Sequence, residues 1–288
     1  MTLCNVVPFV SVIVPVYNDP IGISNLLSFL AVQTYASDSF EVIVCDNGSS
    51  DNTKKVVIDN PHKIRNLSLV VEKDTQSSYA ARNKAIKNSS GEIIAFTDSD
   101  CLPSPSWIEN GVKSILLGAD LVGGHITVTT EPEFNIWSYL DSSRKLNQRS
   151  YVEDASFAAT ANLFVKKEKI IVHGDFISNL ISGGDYEFGR RLVSNGCKLV
   201  YCRISEIKHP ARNSFKEILK KTKRVAKGQK ELEKLGLLEH AKLLSFNSLK
   251  PVLKLSQDSN LKVSPLVYFG SLIMANIFKY YNLILRIR

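Results

Sequence analysis

The chain has 288 residues, 44% of them apolar and 22% charged, with a net charge of +8; that balance belongs to a folded globular protein and excludes a disordered or collagen-like one. Its five cysteines (Cys4, Cys45, Cys101, Cys197, Cys202) are odd in number and hold no CxxC pair, which argues against a disulfide framework or a zinc site and for reduced, buried thiols in a cytosolic protein. The charge is uneven: from Ser205 onward 17 basic residues face 6 acidic ones, so a tail at +11 follows a body at −3, a pattern suited to an anionic surface, whether lipid or nucleic acid.

The opening MTLCNVVPFVSVIVPVYND lacks the basic, apolar and small-residue order of a signal peptide. Phe9 to Pro15 is β-branched and apolar and predicts the first strand, with a helix to follow from Asp19 as N-cap and Pro20 as first helical residue. Phe40 to Cys45 predicts a second strand, closed by the turn-rich Asp46 to Thr53, where a helix begins. Leu67 to Val71 predicts a third strand, and Tyr79 to Ile86 a helix that ends near Gly91. Ile93 to Phe96 is a continuous apolar run that suits a strand buried on both faces. Strands recurring about every 25 residues between helices predict a parallel sheet with crossover helices.

That fourth strand ends in Asp98-Ser99-Asp100. Two carboxylates at a strand's carboxyl end lie where open α/β sheets bind ligands, and at close range they need a cation or hydrogen bonds to stay charged. No GxGxxG and no GxxxxGK[ST] occurs, which argues against a Rossmann dinucleotide site and a P-loop. A calcium loop in DNGSSDNT fails because Val57 stands where a bidentate glutamate is required.

Farther on, Leu121 to Val128 and Leu199 to Cys202 predict strands, Phe157 to Val165 is small and apolar, and Glu131 to Val152 is irregular or helical. In GGDYEFGRRL a glycine pair, Gly183-Gly184, precedes a helix whose first turn holds Asp185 and Glu187. Ser214 to His240 predicts one or two basic amphipathic helices, and Pro265 to Leu285 is apolar and aromatic. Its mainly apolar run, Leu266 to Phe278 before Lys279 intervenes, falls short of the roughly 20 residues that span a bilayer. A helix lying in a membrane surface, with Tyr268, Tyr280, Tyr281, Arg286 and Arg288 at headgroup level, is the first expectation and a packed core helix the second.

VSVIVPVYND, VIVCDNGSSDNT, AARNKAI with GEIIAFTDSDCLPSPSWIE, and GGDYEFGRRL together, in this order, resemble the family 2 glycosyltransferases over Val10 to about Gly228. The resemblance implies the GT-A fold, a Rossmann-like and mostly parallel sheet with flanking helices, here carrying a C-terminal helical extension. It implies three parts: residues 1–212 as the nucleotide-sugar-binding and catalytic domain, 213–262 as a basic helical extension, and 263–288 as an apolar, aromatic helix.

It also implies an inverting transfer from a nucleotide sugar, with UDP the first choice of carrier, to a glycan or lipid-linked acceptor in surface polysaccharide assembly at the inner face of a membrane. Asp100 becomes the direct ligand of Mn²⁺ or Mg²⁺, Asp98 holds the ribose or a metal-bound water, and His209, if a ligand, favours manganese. Pro15, Tyr17 and Asn18 line the base and ribose, Asp46 meets the uracil edge with Ser49 and Asp51 around it, and Arg82 faces the diphosphate or braces the Asp98 loop. Asp185 is the general base, beside Gly183, Gly184 and Glu187. The family pattern has glutamate where Gly184 stands, with Glu187 as a partial replacement or the carboxylate simply missing. A nucleotide-sugar-binding protein without catalysis and a nucleic-acid binder using the basic tail remain the alternatives, although no nucleic-acid reading motif accompanies that tail.

Overall fold

The computed structural model describes residues 7–130, 134–143, 146–238, 250–255 and 263–287. Cys4, Arg288 and parts of the Glu131–Val152 and 213–262 segments therefore lie outside the described residues; the other four cysteines are free and buried. The described chain divides into two compact units, one of residues 1–127, 147–179 and 184–209, the other of residues 128–146, 180–183 and 210–288.

The first unit is built on a sheet in which the strands lie in the order Leu67–Val71 (β3), Phe40–Asp46 (β2), Val10–Val16 (β1), Ile93–Thr97 (β4), Asn162–Lys166 (β7), Leu121–Thr129 (β6), Leu199–Pro210 (β8) and Leu102–Pro103 (β5). Its elements are β1 (Val10–Val16), α1 (Pro20–Leu30), β2 (Phe40–Asp46), α2 (Thr53–Asp59), β3 (Leu67–Val71), α3 (Ser78–Lys87), β4 (Ile93–Thr97), β5 (Leu102–Pro103), α4 (Trp107–Leu116) and β6 (Leu121–Thr129). Every residue of β1 and β4 is buried, as a strand covered on both faces requires. Asp19 caps α1, its carboxylate accepting from the Gly22 amide at 2.9 Å, and Pro20 occupies the first turn, where a missing N–H costs nothing.

β1 pairs in parallel with both β2 and β4, and β2 with β3. Val16 registers opposite Asp46, so the loops after β1, β2 and β4 gather at one edge of the sheet. The other half is antiparallel, with β4 against β7 (Asn162–Lys166) and β7 against β6. The sheet is thus mixed rather than mostly parallel.

Several elements carry little sequence signal. α4 holds Gly111 in mid-helix because a Cβ there would come within 2.4 Å of the Phe164 ring. α6 (Gln148–Ala155) and α7 (Lys167–His173) are short helices of about two turns each, and α8 spans Gly184–Ser194. β8 runs from Leu199 to Pro210, well beyond the apolar Leu199 to Cys202. In its second half Ser205, Ile207 and His209 are buried in alternation, an inward face with one aliphatic residue. β5 is two residues long and pairs antiparallel with β8, Leu102 opposite Lys208.

The second unit packs α5 (Ile136–Ser143), α9 (Phe215–Lys234) and α10 (Pro265–Ile287) around Tyr139, Leu140, Ile218, Leu255, Ala275 and Phe278. No helix among the described residues is long and apolar enough to cross a membrane. α10 buries Ser271, Ala275 and Phe278, while Leu266, Phe269, Ile273, Ile277, Ile284 and Ile287 are exposed. At about 100° per residue these sets occupy opposite faces, so α10 is a packed helix on one side and an apolar surface on the other.

Asp141 ties this unit together. Its carboxylate meets Lys221 at 2.6 Å and Arg212 at 3.2 Å with its side chain 4% exposed. Burial, the largest influence, pushes its pKa up, but the charges of Lys221 and Arg212 outweigh it and hold the carboxyl below its usual range. A folded-state pKa below the unfolded value contributes stability that is present above about pH 4 and lost as pH falls through the folded value. Melting temperature should therefore drop more steeply between about pH 5 and 3 in the wild type than in Asp141→Asn. Asp141→Ala, leaving two cations uncompensated, should cost about 3 kcal/mol at neutral pH. Equal pH slopes in wild type and Asp141→Asn would contradict this.

Candidate active site

The loops gathered at the carboxyl edge of β1, β2 and β4 are knitted to one another. Asn18, at φ 49°, takes a left-handed conformation that asparagine tolerates better than most residues. Its amide donates to the Ser49 hydroxyl at 2.8 Å, and its side-chain oxygen accepts from the Ser50 amide at 2.9 Å. The Asp19 amide donates to the Thr53 hydroxyl at 2.9 Å, and the Asp19 carboxylate accepts from the Ser99 hydroxyl at 2.7 Å. Asp19 was legible only as a helix cap; it also fastens the middle of the Asp98-Ser99-Asp100 turn.

Asp46 is fully buried at the end of β2. Its Oδ2 accepts from the amides of Gly48 and Ser49 at 3.1 and 3.0 Å, whereas its Oδ1 is buried with no hydrogen-bond partner. A buried carboxylate oxygen left unmatched is costly, and a ligand N–H would complete it. Asp51 is engaged within the loop: hydrogen bonds from the Thr53 hydroxyl and amide hold its carboxyl below the usual range. Pro15 lies inside buried β1, and Tyr17, directly after that strand, is half exposed.

The acidic turn is held from below by α3. Arg82, buried, donates to Asp98 at 2.5 Å. Its neighbour Asn83 donates to the Phe176 carbonyl at 2.7 Å and accepts from the Phe176 amide at 3.0 Å. Adjacent residues of one helix thus fix the acidic turn and the segment that leads toward α8.

Opposite the turn, the short β5–β8 pairing brings His209 beside Asp100, its Nε2 3.7 Å from Asp100 Oδ1. Asp98, Asp100, Cys101 and His209 each offer one ligand atom, all within 4.8 Å of one another. Two carboxylates and an imidazole match the preferences of Mn²⁺, and carboxylates with water those of Mg²⁺. The Cys101 thiol is fully buried, and burial first, then Asp98 and Asp100, push its pKa well above the usual thiol range.

Asp185 is the second residue of α8, and its carboxylate accepts from the Tyr186 amide at 3.1 Å. Burial and then the Asp185 charge raise the pKa of the Tyr151 phenol, so α6 and the first turn of α8 share one electrostatic environment. Glu187 is committed elsewhere: Arg191 grips it at 2.6 and 3.1 Å and also donates to the carbonyls of His173, Gly174 and Asp175. Gly183, at φ 84°, belongs to the second unit.

The mixed sheet with its flanking helices is that of the GT-A class of folds. Comparison with known proteins gives the family. The model of glycosyl transferase family 2 matches residues 11–174, and the chain belongs to that family. It is 40% identical to the glycosyltransferase AglE of Haloferax volcanii over 228 residues, 79% of this chain and 75% of the relative.

Two solved structures share the fold. One is the mannosyltransferase PcManGT of Pyrobaculum calidifontis in complex with GDP-Man and Mn²⁺, with a TM-score of 0.64, 18% identity, and 97% of this chain and 73% of that one covered. The other is Staphylococcus aureus TarS 1-349 in complex with UDP-GlcNAc, with a TM-score of 0.60, 20% identity, and 85% and 76% covered.

Proposed function

We propose that this glycosyltransferase moves a sugar from a nucleotide sugar, UDP-linked first, to a hydroxyl of a glycan or lipid-linked acceptor with inversion at the anomeric carbon. The observation that carries the proposal is the meeting of Asp98, Asp100 and His209 within 4.8 Å at the edge where Asp46 keeps an unmatched oxygen. The fold neighbours crystallised with GDP-Man and Mn²⁺ or with UDP-GlcNAc support a donor of this chemistry.

In this reading Asp46 Oδ1 accepts the N–H of the base, Tyr17 packs on its face, and Pro15, Asn18 and Ser49 shape the pocket floor. Arg82 keeps Asp98 in place toward the ribose. Asp100 and His209 would hold Mn²⁺ or Mg²⁺, which supplies positive charge against the departing diphosphate. Asp185 takes the acceptor's hydroxyl proton as that oxygen attacks the anomeric carbon from the side opposite the leaving nucleotide. The test is a panel of UDP- and GDP-sugars with Mn²⁺, scored by release of free nucleoside diphosphate. Turnover of one or more donors is expected, and none by the folded protein with any acceptor supplied would refute the assignment.

We place the acceptor at an anionic membrane surface, in cell-envelope polysaccharide assembly on the cytoplasmic side. The support is the exposed apolar face of α10 together with the surplus of 11 positive charges after Ser205. The protein should co-sediment with phosphatidylglycerol vesicles and not with phosphatidylcholine ones. Ile273→Glu with Ile277→Glu should lower the bound fraction about fivefold or more; unchanged binding would remove α10 from the account.

A further inference from the structure

Gly184 opens α8 directly before Asp185, and its backbone does not need glycine, because its φ lies outside the left-handed region occupied by Gly183. What it needs is space. A Cβ at Gly184 would stand 2.8 to 2.9 Å from three carbons of the Tyr79 ring, well inside the distance at which packed carbon atoms rest. The ring fills the volume that a side chain at position 184 would require.

Tyr79 is also the hub of the contacts joining the two halves of the site. It is 5% exposed, stacks on Phe176 at 5.7 Å, and lies 5.7 Å from the Arg82 guanidinium. That same guanidinium holds Asp98 at 2.5 Å. Phe176 stacks at 4.2 Å on Phe188, one turn beyond Asp185, and meets edge-on, at 5.4 Å, Phe96 of β4, two residues before Asp98. Rings and one guanidinium therefore run without a gap from the acidic turn to the start of α8.

We infer that Tyr79 is a positioning residue for the transfer reaction, its ring wedged against Gly184 to set where the Asp185 carboxylate stands relative to the Arg82–Asp98 pair. This rests on the transferase reading and deepens it. The missing carboxylate at position 184 is then a trade and not a defect. Packing by Tyr79 holds the base where a charged side chain would otherwise do so, and the two residues can only change together.

The test is a double-mutant cycle of Tyr79→Ser and Gly184→Glu, read in kcat, donor KM and melting temperature, with Tyr79→Phe as the conservative control. Because misplacing a reacting group by about 1 Å can cost about 10²-fold, Gly184→Glu alone should lower kcat about 10²-fold. Tyr79→Ser alone should lower it about tenfold, with donor KM within about threefold of wild type. The double variant should recover about tenfold over Gly184→Glu, and Tyr79→Phe should retain nearly full kcat.

Tyr79→Ser removes bulk without adding any, so it remains informative if Gly184→Glu does not fold. A fall in its melting temperature with kcat unchanged would mean that the ring is merely structural and would overturn the inference. Losses that multiply, with no recovery in the double variant, would do the same. A wild type that turns over no sugar nucleotide would bring down the transferase reading and this role together, whereas an active wild type with multiplicative losses overturns this role alone.

Discussion

Asp185→Asn is expected to lower kcat for sugar transfer by about 10³-fold while leaving UDP binding in the presence of Mn²⁺ unchanged. Asparagine keeps the shape of the side chain and the hydrogen bond that the Tyr186 amide donates to the Asp185 carboxylate at 3.1 Å. What it loses is the capacity to accept a proton from the acceptor hydroxyl, and with it a barrier reduction of about 4 kcal/mol. The neighbouring acid offers no substitute, since Glu187 is buried and bound by Arg191. Single-turnover rates of the folded variant, measured beside thermal-shift titrations with UDP, separate the two effects. A variant that turns over at the wild-type rate would place the base elsewhere. A wild type that binds UDP and shows no turnover would revive the reading of a nucleotide-sugar-binding protein without catalysis.

Asp100→Ala should act on the other half of the reaction. Asp100 is the carboxylate facing His209, at 3.7 Å, and its side chain is 43% exposed, accessible to a ligand as Asp98, held by Arg82, is less so. Removing it should abolish the gain in UDP affinity that Mn²⁺ confers and lower kcat on the order of 10²- to 10³-fold, the size of effect seen when charge stabilisation at a leaving group is withdrawn. Calorimetric titration of UDP with and without Mn²⁺ measures this directly. An undiminished Mn²⁺ effect in Asp100→Ala would remove the acidic turn from ion binding.

The parallel half of the sheet was legible because its strands are continuous apolar runs closed by turn residues, and Asp19 and Pro20 announce α1. β8 escaped past Cys202 because only Ile207 marks the inward face of its second half; Ser205 and His209 are buried through hydrogen bonds and site contacts that no hydropathy pattern carries. β5 escaped because two residues have no period. Together these two strands explain how His209 reaches Asp100, which spacing alone could not establish.

The glycine before Asp185 was visible as a departure from the family pattern, but its cause was not. The ring that fills the space comes from Tyr79, more than a hundred residues earlier. The contribution of Glu187 was open in the sequence, because whether a carboxylate four residues before an arginine serves a ligand or that arginine depends on where Arg191 points. Tyr79 at the start of α3 and Phe188 in mid-α8 are joined through Phe176, a packed link between the two acids that no periodicity in the sequence carries.

Diffraction from crystals grown with UDP and Mn²⁺, recorded where manganese scatters anomalously, tests the central assignment most directly. The expected outcome is a single anomalous peak between Asp100 and His209, with the diphosphate beside it and the uracil N–H on Asp46 Oδ1. Nucleotide density elsewhere on the molecule, or a manganese peak away from the Asp98-Ser99-Asp100 turn, would contradict it.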